Sequence, residues 1–155
     1  MPYSVALFLD SDSTEIITDL WRKLAAMHIS ESLFQSAFRP HVTLGIADRL
    51  ELEPCRNYLA EFSHTHAAFP LSFSSIGLFP SESNGAVFLG VTPSPPLLEI
   101  HTDFHLTFSV YGDGLRRYYF PGIWVPHCTL ADGISCDRVP QAMEVCQQVH
   151  LPIRA

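Results

Sequence analysis

The sequence is poor in basic residues. Lys23 is its only lysine, and 9 lysines and arginines stand against 16 aspartates and glutamates, which gives a formal net charge of −7 over 155 residues. A protein that grips a long nucleic acid by its phosphates normally carries a basic face. We therefore expect no long nucleic acid as a partner, and we expect any nucleic-acid ligand to be a nucleotide, an oligonucleotide or an RNA end.

The sequence also lacks the marks of membrane insertion and export. No segment approaches the roughly 20 apolar residues of a membrane helix, and the first residues, MPYSVALFLDSDS, have no basic stretch or cleavable apolar region. The four cysteines form no CxxC pair and no zinc-ligand spacing, which is typical of reduced thiols. They are Cys55, Cys128, Cys136 and Cys146. We expect a cytoplasmic monomer that needs no membrane, metal or cofactor.

A five-residue pattern, Pro-His-x-Thr-Leu, occurs twice, at Pro40–Leu44 and at Pro126–Leu130. Four fixed residue types at average usage recur by chance about once in 160,000 positions. Two copies in one short chain therefore indicate a packing repeat, a metal site or a catalytic pair.

The two motifs lie in corresponding places of a longer repeat. Around each, the apolar pattern predicts strand, helix, strand, helix, strand, so that residues 5–79 and 87–155 form two βαβαβ units. The sequence thus predicts one α+β domain over 1–155, with antiparallel sheets and outer helices. The second unit ends several residues before its last strand should, at Leu151–Ala155, and we expect that strand to be truncated.

The helices of the repeat have recognisable starts and apolar faces. Asp12 and Glu15 predict a capping box at the start of the first helix, and Pro95 suits the start of a later one. The apolar face predicted for the first helix consists of Ile16, Ile17, Leu20, Trp21 and Leu24.

Strand periodicity predicts where the motif side chains point. Alternate residues share a face of a strand, so His41 lies on one face with Thr43 and Arg39, and His127 lies on one face with Thr129. If the two units pack about a pseudo-two-fold axis, both His–Thr pairs converge on one groove.

Two such pairs suit phosphodiester chemistry without a metal. A neutral imidazole can take a proton from water while a protonated one gives a proton to the leaving oxygen, and each role is worth about 10²–10⁴-fold. Thr43 and Thr129 can hold phosphate oxygens by their hydroxyls, and Arg39 can add a complementary charge. A metal site is a weaker interpretation, because no carboxylate lies on the motif face. His101 and His105 are more simply core histidines than metal ligands.

The paired motifs, with VALFLD, FSSIGLF and AVFLGV in order between and around them, resemble the 2H phosphoesterase superfamily, which includes 2′-5′ RNA ligase-like proteins and 2′,3′-cyclic phosphodiesterases. The resemblance implies a bilobal α+β fold with a central cleft. It also implies that His41 and His127 are catalytic and that Thr43 and Thr129 bind phosphate. The implied reaction opens a 2′,3′-cyclic phosphate without a metal and usually leaves a 2′-phosphate. Which histidine is the acid stays open.

A second region is a candidate for substrate recognition. In YGDGLRRYYFPGIW, Arg116 can meet a phosphate, and Tyr118 or Tyr119 can stack on a base, although aromatic residues here can equally pack into the core. Besides the cyclic phosphodiesterase, three alternatives remain. They are a 2′-5′ RNA ligase, a non-catalytic nucleotide-binding module and a purely structural protein, of which the last leaves the doubled motif unexplained.

Overall fold

The computed structural model describes residues 2–155, which fold into helices and antiparallel strands. This confirms the predicted α+β class. The helices are α1 (Ser11–Ala26), α2 (Ser32–Gln35), α3 (Leu52–Thr65), α4 (Pro95–Tyr111) and α5 (Val139–Cys146). The strands are β1 (Tyr3–Phe8), β2 (His41–Ala47), β3 (Arg49–Leu50), β4 (Ser72–Pro80), β5 (Asn84–Val91), β6 (Gly112–Asp113), β7 (His127–Ser135) and β8 (Ile153–Arg154). Within this described part, no helix is both long and apolar enough to cross a membrane.

The chain order follows the predicted repeat once the short elements α2, β3 and β6 are set aside. Strand, helix, strand, helix, strand occurs first as β1-α1-β2-α3-β4 and then as β5-α4-β7-α5-β8. The last of these strands, β8, pairs antiparallel with β4, with Phe73 opposite Ile153. The predicted truncation of this strand stays a prediction.

Two compact units divide the chain, and they do not coincide with the two sequence repeats. The first unit comprises residues 1–7, 43–71 and 93–126, and the second comprises residues 8–42, 72–92 and 127–155. Each unit therefore takes segments from both repeats. The tight connection between β4 and β5 accounts for part of this mixing, because it makes the last strand of one repeat pair with the first strand of the next.

The second unit is built on a four-stranded antiparallel sheet in the order β7-β5-β4-β8. Helices α1 and α5 pack on this sheet. Of the predicted apolar face of α1, Ile17, Leu20, Trp21 and Leu24 are buried, whereas Ile16 is exposed. The observed N-cap lies two residues before the predicted one, Asp12. Asp10 caps the helix by accepting the Ser13 N–H at 2.8 Å, because β1 has just ended and leaves Asp10 in extended backbone.

The first unit has its own core, formed where α3 and α4 pack together and against β2. Phe104 and Phe108 of α4 are fully buried there. Tyr58 of α3 packs against this core and donates a hydrogen bond to the Phe104 carbonyl at 3.1 Å. The fully buried members of this core are Leu44, Ala47, Cys55, Phe104 and Phe108.

Candidate functional site

The motif histidines are the first residues of their strands, His41 of β2 and His127 of β7. Both histidines and both motif threonines, Thr43 and Thr129, are half-buried, while the residues that alternate with them are at most 2 % exposed. These buried neighbours are Val42, Leu44, Cys128 and Leu130. The predicted alternation is therefore confirmed: the apolar face of each motif is in the core, and the His–Thr face reaches solvent.

The starts of the two motif strands lie side by side within the second compact unit. The His41 backbone lies near the sulfur of Cys128, the residue next to His127, and lowers the pKa of that thiol. This proximity lies deep in the protein, since burial raises the pKa of the Cys128 thiol to about 12 all the same. The structure thus brings His41, His127 and Thr129 into one unit, while Thr43 begins a segment of the other unit.

His41 is held in a defined tautomer. Its Nδ1 lies 2.6 Å from the backbone carbonyl oxygen of Arg39. A carbonyl can only accept, so Nδ1 carries the proton and Nε2 of the neutral ring is left with a lone pair. The ring also contacts Phe8 and Phe38, with centroid distances of 6.5 and 6.1 Å. Nε2 of His41 is therefore the atom available for proton transfer.

The second motif is held by the sheet and by α1. In the pairing of β5 with β7, His127 lies opposite Gly90 and Thr129 lies opposite Phe88. The Thr129 carbonyl accepts the indole N–H of Trp21 at 3.0 Å, and the His127 ring meets Phe79 edge-on at 4.9 Å. These contacts hold the backbone of the second motif. The side-chain hydroxyl of Thr129 takes no part in them.

Two histidines of α4 support the first unit. His105 Nε2 lies 2.9 Å from the carbonyl oxygen of Leu44, the last residue of the first motif, and His101 Nε2 lies 2.9 Å from that of Tyr119. Burial lowers the pKa of both rings, that of His101 to about 4. Both are therefore neutral donors to backbone carbonyls, as the core interpretation expects. Within residues 2–155, no group of three or more His, Cys, Asp or Glu side chains is arranged to hold a metal ion.

Arg39 is exposed, and its guanidinium carbon lies 5.0 Å from the centroid of the Phe8 ring. Its backbone carbonyl orients His41, while its side chain makes a cation–π contact. In the described chain Arg39 has no carboxylate partner. Its proposed contact with a phosphate stays a prediction.

The predicted recognition loop lies in the first compact unit. Arg116 forms an ion pair with Asp48 at 2.7 Å, so its charge already has a partner. Gly114 has φ +67°, and a Cβ there would lie 2.5 Å from Asp48 Oδ2, so the turn requires glycine. Tyr118 is 62 % exposed, whereas Tyr119 is 8 % exposed and its ring belongs to the core. Of the two predicted tyrosines, Tyr118 is therefore the exposed one, and its contact with a base stays a prediction.

A comparison with family models identifies the family of the chain. The model of the 2′-5′ RNA ligase superfamily matches residues 49–155, which include the second motif and begin shortly after the first. The chain belongs to the 2′-5′ RNA ligase superfamily. This confirms the resemblance to 2H phosphoesterases, and membership of the superfamily supports a phosphoesterase-type enzyme.

No curated protein sequence matches this superfamily member. Among solved structures, that of Kluyveromyces marxianus Usb1 with uridine monophosphate is similar to it at 13% sequence identity and a TM-score of 0.45. The similarity covers 95% of this chain and 77% of the Usb1 chain.

Sequence reasoning missed several residues around the motifs of this superfamily member. Phe8 and Phe38 contact His41, and Trp21 and His105 hold the motif backbones. Most of these contacts have no local signal, because Phe8 lies 33 positions before His41 and Trp21 lies 108 positions before Thr129. Phe38 is the exception: it lies three residues before His41, close enough in the sequence to be considered a neighbour of the histidine.

Proposed function

We propose that this protein is a metal-independent phosphodiesterase that opens the 2′,3′-cyclic phosphates of nucleotides or RNA ends by acid–base catalysis with His41 and His127. The observation that supports the proposal is that His41 and His127 begin strands of the same compact unit, each on a half-buried His–Thr face whose alternate residues are in the core. Membership of the 2′-5′ RNA ligase superfamily supports the same chemistry.

The proposed reaction has one step at phosphorus. Nε2 of one histidine takes a proton from water as the water oxygen attacks the phosphorus atom. The bond from phosphorus to the ribose O3′ breaks, and the other histidine, protonated, gives its proton to that oxygen. The product is a 2′-phosphate with a free 3′-hydroxyl. Both histidines end with exchanged protonation states, which solvent restores.

The threonines and the ordered tautomer of His41 serve this step. Thr43 and Thr129 are half-buried on the same strand faces as the histidines, and their hydroxyls would donate to non-bridging phosphate oxygens as charge develops there. The Arg39 carbonyl fixes Nδ1–H of His41 and so leaves Nε2 for the proton transfer. No step in this scheme requires a cofactor.

Hydrolysis of the four nucleoside 2′,3′-cyclic monophosphates in EDTA tests the proposal. We expect wild-type turnover in chelator and a loss of about 10²–10⁴-fold in kcat/KM for His41→Ala and for His127→Ala. His150→Ala, which changes an exposed histidine outside the motifs, is the matched control. Turnover that survives in both motif variants would reject the mechanism, and a 3′-phosphate product would reject the assigned bond cleavage.

A 2′-5′ RNA ligase is the second candidate, favoured by the name of the superfamily. It is the same site run in reverse, with a 2′,3′-cyclic phosphate end and a 5′-hydroxyl end held together. The net charge of −7 disfavours the binding of two RNA ends. Incubation of the two RNA ends with the enzyme, followed by analysis of the joined product, distinguishes this activity from hydrolysis.

A further inference from the structure

The two motif histidines have different aromatic neighbours. His127 meets Phe79 and Phe88, and these two rings stack on each other with centroids 4.2 Å apart. Phe88 is 8 % exposed and covers Gly77 so closely that no side chain would fit there. Phe79 is 36 % exposed, so of the two rings at His127 only that of Phe88 is buried in the packing of the sheet.

The rings at His41 are instead open to solvent. Phe8 and Phe38 are each 62 % exposed, although both lie within 6.5 Å of the His41 ring, centroid to centroid. A single exposed phenylalanine is ordinary on a protein surface. Here two exposed rings contact the same proposed catalytic residue, and the guanidinium of Arg39 lies over one of them.

The segment that carries Phe38 is held in place before any ligand arrives. The Phe38 N–H donates to the Ser36 hydroxyl at 3.2 Å, and that hydroxyl donates to the Leu33 carbonyl at 2.8 Å. The Arg39 carbonyl accepts from His41 Nδ1. The backbone on both sides of Phe38 is thus hydrogen-bonded, to Ser36 before it and, through Arg39, to His41 after it.

We propose that Phe8 and Phe38, with Arg39, form a nucleobase-binding surface beside His41; this inference rests on the proposed function. A nucleobase and the 2′,3′-phosphate of one ribonucleotide are joined through a single ribose, so a base on these rings would leave its phosphate near His41. Stacking on a phenylalanine ring tolerates every base, because each base has a π-face. Arg39 adds a second planar, cationic partner. This surface would therefore bind ligands that carry a nucleobase, with little preference between the bases.

Calorimetric titration measures this surface independently of turnover. The probes are adenosine 2′-monophosphate, uridine 2′-monophosphate and ribose 5-phosphate, each titrated into wild type, Phe8→Leu and Phe38→Leu. We expect wild type to bind both nucleotides more tightly than ribose 5-phosphate, and each variant to lose about 5- to 150-fold in nucleotide affinity. The affinity for ribose 5-phosphate should change far less. Phe38→Tyr, which keeps a stacking ring, should retain most of the wild-type affinity.

Phe34→Leu is the matched control, because Phe34 is an exposed phenylalanine of the same unit on α2. Equal binding of nucleotides and ribose 5-phosphate by wild type, absence of binding by all three probes, or equal losses in Phe34→Leu would each overturn the proposal.

The titration and the turnover assay together distinguish the nucleobase-binding surface from the proposed enzyme activity. Base-dependent binding that needs Phe8 and Phe38, without turnover of any cyclic phosphate, would keep this surface and reject the enzyme. Turnover that needs both histidines, with unchanged nucleotide binding in the phenylalanine variants, would do the reverse.

Discussion

Protonation of His101 should destabilise the fold between neutral and mildly acidic pH. The ring is 2 % exposed, stacks on Trp124 at 3.8 Å with an interplanar angle of 8°, and has Nε2 2.9 Å from the Tyr119 carbonyl oxygen. Burial, and next the neighbouring His105, lower its pKa to about 4. An unfolded chain restores an ordinary histidine pKa of about 6.5.

The direction and size of the change in the free energy of unfolding follow from the difference between the folded and unfolded pKa values of His101. Between about pH 6.5 and pH 4 the unfolded chain binds a proton that folded His101 does not, so the free energy of unfolding falls as pH falls through this window. At about 1.4 kcal/mol per pKa unit, His101 accounts for a loss of about 2 kcal/mol from pH 7 to pH 5 and about 3 kcal/mol at pH 4. The pKa of His105 is also lowered by burial, and this histidine adds to the loss in the same direction.

Urea denaturation of wild type and His101→Gln at pH 7 and pH 5 measures this effect. The glutamine amide can still donate toward Tyr119, but it does not titrate. We expect the variant to be less stable at pH 7, because it loses the stacking on Trp124, and to lose about 2 kcal/mol less than wild type between the two pH values. The exposed-site variant His150→Gln is the control. An equal pH dependence in wild type and His101→Gln would refute the reasoning.

Two further predictions concern the thiols and a strand glycine. A thiol reagent at neutral pH should label one cysteine of the folded protein, the exposed Cys136, as counted by mass spectrometry; rapid labelling of a second cysteine would contradict the assigned burial. Burial raises the pKa of each of the other thiols, which belong to Cys55, Cys128 and Cys146. Gly45→Ala should lower the free energy of unfolding by about 1–3 kcal/mol, because its Cβ would lie 2.9 Å from Phe104 Cε1. A urea midpoint unchanged from wild type would show that the Phe104 ring moves aside freely.

The sequence predicted the motif strands because their information is local. A strand alternates its faces every residue, so the burial of Val42 and Leu44 and the half-exposure of His41 and Thr43 follow from the pattern alone. The helix start was predicted two residues late, because capping depends on where β1 ends, and the sequence offers several acidic residues there. The sequence predicted Tyr118 and Tyr119 of the recognition loop as equivalent candidates for stacking on a base. In the structure Tyr118 is exposed and Tyr119 is buried in the core.

By itself, then, the sequence determined the α+β class, the two motif strands and the family to which they belong. The tertiary structure decided which segments form each compact unit and how the strands of the two repeats mix in one sheet. It also decided that the two phenylalanines at His41 are both highly exposed, whereas one of the two at His127 is buried. The reason is physical: periodicity and motifs act over a few residues, whereas pairing, stacking and burial join residues that are far apart in the chain.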